Sequence, residues 1–145
     1  MNPFRSLRDY EEFIYTLALQ FPGVTSSTLV IYRRGASLGL VSGEIFFDKG
    51  FRIVVRERFQ LRNTAVVIRR YGYEIWCGEE KLYWYDSQPH PNDPALASTH
   101  PYHKHVPPDI KHNRIPALGL SFVQPNLPFL IQEIEREYLS ERNRE

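Results

Sequence analysis

The sequence predicts an α+β fold: an antiparallel sheet of about five strands in a meander, flanked by an N-terminal and a C-terminal helix, with a long Pro/His-rich loop before the second helix. Two observations carry most of this. Apolar residues recur at helical spacing near both ends of the chain, and the segment between them alternates or reads as short apolar, β-branched and aromatic runs. The third is a sharp change of composition after Asp86, where prolines and histidines crowd into one stretch. Nothing between the strand-like runs is long enough for a crossover helix, so neighbouring strands are expected to run antiparallel.

The elements follow in order. Residues 1–22 hold the first helix. Ser6 can cap it, Asp9 sits three residues on, and Leu7, Tyr10, Phe13, Ile14, Leu17 and Ala18 form one apolar stripe. Pro22 and Gly23 end it. Residues 25–86 form the sheet. Its strands are expected over Thr28–Arg33, Leu38–Phe47, Phe51–Leu61, Thr64–Cys77 and Leu82–Asp86, with Asp48-Lys49-Gly50 as a hairpin turn and Gly72 as a bulge or bend. In the third of these, Phe51, Ile53, Val55, Glu57 and Phe59 share one face, and Arg52, Arg56 and Arg58 share the other. Residues 87–126 are too long for an ordinary connection, and long loops of this kind are often functional. Residues 127–142 read as the second helix, with Leu127, Leu130, Ile131, Ile134, Tyr138 and Leu139 as its stripe and Pro128 in the first turn.

Size and charge bound the function. A chain of 145 residues fits one domain and can bury a core without staples. The formal net charge is +1, from 18 Lys and Arg against 17 Asp and Glu, which excludes a broadly basic nucleic-acid coat but not a local basic face. Cys77 is the single cysteine, so the chain has neither an internal disulfide nor a paired-cysteine metal knuckle, and a reducing cytoplasm is the simplest expectation. No run of the sequence is long and apolar enough to span a bilayer, and the first residues do not read as a signal peptide. A homodimer through an exposed strand edge is compatible with this pattern.

All five histidines, His90, His100, His103, His105 and His112, fall in the loop. Histidine is the side chain that exchanges protons near neutral pH. Cleaving RNA without a metal needs a base for the 2′-hydroxyl, an acid for the leaving oxygen and a cation for the phosphorane, and two histidines with a Lys or Arg supply all three. In an extended segment His103 and His105 share one side and Lys104 takes the other. A metal site is the second possibility, with Asp86, Asp93 and Asp109 as carboxylate ligands, although the spacing lacks the helical pattern of a zincin. A purely structural role, in which the histidines tie the loop to the sheet and the loop grips a protein partner, is the third.

Tyr85-Asp86-Ser87-Gln88-Pro89-His90-Pro91, followed by His100-Pro101-Tyr102-His103-Lys104-His105-Val106, resembles the signature of the TumE family, also described as DUF6516. The resemblance extends through the C-terminal half, including Ile110 to Pro116, and covers the N-terminal half only in its strand pattern. Ser87 stands where the family usually has Asn, and Tyr102 where His is common. The resemblance implies the toxin of a two-gene toxin–antitoxin pair, commonly a ribonuclease, neutralised by a cognate antitoxin protein. Tyr85, Asp86, His90, His103, Lys104 and His105 match the family block. Taken with the chemistry above, His103 and His105, with His90 as substitute, are expected as base and acid, Lys104 as the cation, Asp86 as the orienting carboxylate, and Tyr85 as a contact to base or phosphate. No cofactor or resident metal is required. Arg52, Arg56, Arg58, Arg69 and Arg70 are candidate contacts to an RNA backbone, and Tyr71, Tyr73, Tyr83, Trp84 and Tyr85 are candidate platforms for unpaired bases.

Overall fold

The computed structural model describes residues 2–87, 103–107, 114–116 and 119–140, with backbone alone at 103 and 114–116. Its frame is one antiparallel sheet with helices on one face. The strands are β1 (Val24–Ser27), β2 (Val30–Arg34), β3 (Leu38–Phe47), β4 (Phe51–Arg62), β5 (Ala65–Cys77), β6 (Glu80–Asp86), β7 (His103–His105) and β8 (Arg114–Pro116). They run in the order β1-β3-β4-β5-β6-β7-β8, and β2 shares with β1 the free side of β3. The α+β meander is therefore as the sequence predicts, but among the described residues the sheet is 8-stranded. The extra strands have two origins. β1 is an additional strand ahead of the first expected one, which is β2, and the His-rich stretch adds β7 and β8 beyond β6.

The first helix begins as its cap predicts: the Ser6 hydroxyl accepts the Asp9 backbone N–H at 3.1 Å, and α1 runs Leu7–Tyr15. Thr16 leaves helical geometry at φ −121°, and a short α2 (Leu17–Gln20) follows. That break turns Ala18 to solvent, so it leaves the expected stripe, while Tyr10, Phe13, Ile14 and Leu17 are buried. At the other end, α3 (Leu127–Ile134) passes into a π-helical turn, Glu135–Leu139. The β3–β4 turn uses Lys49 and Gly50, both at positive φ (63° and 84°), as the Asp-Lys-Gly signal requires.

Alternation along the strands gives the sheet two different faces. Ile45, Ile53, Val55, Phe59, Ile68, Tyr73, Ile75 and Tyr83 are buried beneath α1 and α3. Tyr10 of α1 packs edge-on against Phe59, and Tyr138 stacks on Phe51 at 4.7 Å. This inner face also buries two carboxylates. Glu57 accepts hydrogen bonds from the Tyr10 and Tyr73 hydroxyls, and Asn126 donates to Tyr73 Oη at 3.0 Å. Glu133 of α3 accepts from Tyr83 at 2.7 Å and from Tyr85 at 2.8 Å. Buried polar groups are tolerated when they are paired in this way.

Gly72 is not the bulge. The irregularities lie beside it: β4 pairs Arg58 with Arg70 and Phe59 with Ile68, leaving Arg69 as the extra residue, and β6 has Leu82 extra between the Ile75–Tyr83 and Trp76–Lys81 pairs. Gly72 sits in regular pairing between Arg56 and Asp86.

Candidate functional site

Among the described residues no helix covers the outer face of the sheet, and the register orders its residue positions into cross-strand rows. One row runs Val30, Ser42, Arg56, Gly72, Asp86, His103 across β2 to β7. Beside it on one side runs Tyr32, Leu40, Arg58, Arg70. On the other side runs Glu44, Val54, Glu74, Trp84, His105, and beyond that Phe46, Arg52, Trp76, Lys81.

The family block is divided between the two faces. Asp86 and His105 are on the outer face, with His105 Nε2 at 2.9 Å from Asp86 Oδ2. The imidazole lies flat on Trp84, ring centres 3.9 Å apart and planes 15° apart, and Trp84 Nε1 donates to the same Asp86 oxygen at 3.3 Å. A carboxylate, an imidazole and an indole thus form one unit, and His105 is only 3% exposed within it. His103 occupies the backbone position paired with Asp86.

Tyr85 and Lys104 go the other way, because each alternates with its neighbours along the strand. Tyr85 is buried and gives its hydroxyl to Glu133. Lys104 Nζ is 3.5 Å from Glu133 Oε2 and lies over the Tyr83 ring at 4.4 Å. Burial, with the charge of Glu133 beside them, holds the Tyr83 and Tyr85 phenols well above their ordinary range, so both act as neutral donors. The expected contact of Tyr85 to substrate is therefore replaced by a contact to α3. The expected base platforms are corrected for the same reason: Tyr71, Tyr73, Tyr83 and Tyr85 all face the core, and Trp84 alone of that set faces outward. His90, His100 and His112, with Asp93 and Asp109, lie outside the described residues. Among the described residues no cluster of His, Cys, Asp and Glu is suited to hold a metal.

The arginines are all on the open side, but they differ. Arg52 bonds Glu44 at 2.6 Å and lies over Trp76 at 4.8 Å, so it is already occupied. Arg69, at the bulge, donates to Gln60. Arg56, Arg58 and Arg70 are exposed and have no acidic partner among the described residues. Together with Gly72 they line a shallow cleft of about 250 Å³. A Cβ on Gly72 would meet nothing within 4 Å, so the floor of that cleft is open between Arg56 and Asp86.

Two residues with a clear role were not singled out by sequence reasoning. Glu133 borders the apolar stripe of α3 and ties β6, β7 and the helix together. Asn126 receives the Ser121 backbone N–H at 2.7 Å and bridges to Tyr73. An acid at the margin of an apolar helix face is the only available signal for the first, and a loop asparagine gives none for the second.

No curated protein and no solved structure shows significant similarity to the chain. A family profile does: the one described as Toxin TumE matches residues 14–138. The match takes in the sheet, the Asp86–His105 unit and α3, and on that extent the chain belongs to the TumE toxin family.

Proposed function

We propose that this toxin is a metal-independent endoribonuclease whose reacting phosphate sits on the outer face of the sheet, over Gly72. The observation that carries this is the pairing of Asp86 with His105 on the same face as Arg56, Arg58 and Arg70. In this reading a histidine of the segment takes the proton of a 2′-hydroxyl, whose oxygen attacks the adjacent phosphorus. A second histidine gives a proton to the departing 5′-oxygen. The products are a 2′,3′-cyclic phosphate and a 5′-hydroxyl. His103, on the register position beside Asp86, and His90 are the candidates for contact with RNA. His105, expected as base or acid, is buried against Trp84 and bonded to Asp86, so these two act as positioning residues.

The cation for the phosphorane is Arg56, not Lys104. Arg56 is exposed and directly opposite Gly72, which is in turn opposite Asp86. Lys104 is on the far face and already paired with Glu133. The toxin would act in the cytoplasm, held inactive by its cognate antitoxin.

The test is induced expression of wild type, His103→Ala, Asp86→Asn and Lys104→Ala, following growth and total RNA. Wild type and Lys104→Ala are expected to arrest growth and fragment RNA. His103→Ala and Asp86→Asn are expected to permit growth while remaining folded by circular dichroism. Full toxicity of His103→Ala, or loss of toxicity confined to Lys104→Ala, would overturn the assignment.

A further inference from the structure

Beside the Gly72 row, the sheet carries a second and larger concavity. It has a volume of about 690 Å³ and is lined by Tyr32, Leu38, Leu40, Arg58, Arg69 and Arg70 among others. Its walls are of two kinds. Tyr32 and Leu38 on the β2–β3 hairpin are 54% and 49% exposed, which is unusual for large apolar side chains. Facing them, Arg58 and Arg70 stand directly opposite one another across β4 and β5. Like charges in that register repel. No carboxylate among the described residues relieves them, and the bulge places Arg69 next in line.

Tyr32, Leu40, Arg58 and Arg70 form one continuous cross-strand row. An aromatic and aliphatic wall thus meets a pair of uncompensated cations at the distance of neighbouring strands. The ligand chemistry this fits is a planar apolar ring carrying an adjacent phosphate, and a single unpaired nucleotide has both parts. Arg34, Arg56 and Arg69 also line the groove, so its positive charge suits the phosphate backbone on either side of that nucleotide better than the scattered carboxylates of an acidic and apolar peptide. We propose that this groove is a nucleotide seat, with the base against Tyr32 and Leu40 and its phosphate between Arg58 and Arg70. The proposal rests on the ribonuclease reading above. The Arg58–Arg70 pair is the row next to Arg56–Gly72, two residues or roughly 7 Å along the same strands. The seat therefore holds a nucleotide neighbouring the reacting phosphate, and through Tyr32 and Leu40 it sets the affinity and register of the RNA.

The test is fluorescence anisotropy with a short labelled single-stranded RNA and a duplex of the same sequence, in a His103→Ala background so that nothing is cut. Tyr32→Ala is expected to weaken single-strand binding about 5- to 160-fold, with its salt dependence unchanged, since stacking onto a base is worth about 1–3 kcal/mol. Tyr32→Phe should bind like the parent. Arg58→Ser should weaken binding and reduce the salt slope by about 0.7. The duplex should bind at least tenfold more weakly.

Unchanged affinity in Tyr32→Ala, with cleavage by the otherwise wild-type enzyme intact, would overturn the seat and leave the ribonuclease reading standing. Equal affinity for the duplex would do the same. A protein that neither binds nor cuts RNA, yet binds poly-L-glutamate through Arg58, would overturn both and assign the groove to an acidic protein partner.

Discussion

Asp86 receives two donors on one oxygen, the Trp84 indole and the His105 imidazole, and that convergence fixes the side chains around the proposed centre. Asp86→Asn keeps an amide oxygen that can accept from both rings and removes only the charge, so it tests the carboxylate's charge with the shape of the unit conserved. The other informative carboxylate is Glu57, fully buried at 0% exposure. Burial pushes its carboxyl above the ordinary 4.5, and the two tyrosine hydrogen bonds only partly oppose that. A folded-state value above the unfolded one stabilises the fold fully below about pH 4.5, and the contribution is lost as pH rises through the raised value. Glu57→Gln carries no such titration. The stability of this variant relative to wild type should therefore rise from pH 4 to pH 8 in urea unfolding. A constant difference across that range would mean that Glu57 titrates as an exposed acid does.

At the scale of elements, the strand phase decided what each residue could do. The sequence pattern of β4 made its two faces legible, Glu57 inward and Arg56 and Arg58 outward, because the strand is long and one of its faces is apolar. Near Asp86 the pattern was less informative. Tyr83, Trp84 and Tyr85 are all aromatic, so composition could not say which face each takes; the register with β5 does. β7 is a three-residue strand in a Pro-rich stretch, too short for periodicity to reveal, yet its pairing to β6 separates Lys104 from His105. The bulge at Arg69 had no glycine to mark it, and the nearby Gly72 drew the expectation instead. Gly39 is a glycine with a demonstrable packing role. A Cβ there would lie 2.2 Å from the ring of Phe59, itself buried to 2%. Gly39→Ala should cost about 1–3 kcal/mol of stability in urea unfolding. A loss under half of that would show that Phe59 can move aside.

At the scale of the whole molecule, a net charge of +1 conceals a strongly divided surface. Helices and buried tyrosine–carboxylate pairs occupy one face of the sheet. The other carries the Asp86–His105 unit and the unpaired arginines, with the tyrosine-lined groove at its far side. Among the described residues no helix is long and apolar enough to cross a membrane. Membership of a toxin family implies an antitoxin partner, and a partner covering the outer face would block every proposed RNA contact together.

The most direct measurement is incubation of the purified toxin with a defined single-stranded RNA in the presence of EDTA, reading the ends of the products. Cleavage should be unchanged by EDTA and leave 2′,3′-cyclic phosphate and 5′-hydroxyl ends, and His103→Ala should lose at least about a hundredfold in rate, the scale expected for removing one acid–base group. Intact RNA, cleavage abolished by EDTA, or products ending in a 5′-phosphate would contradict the proposed mechanism.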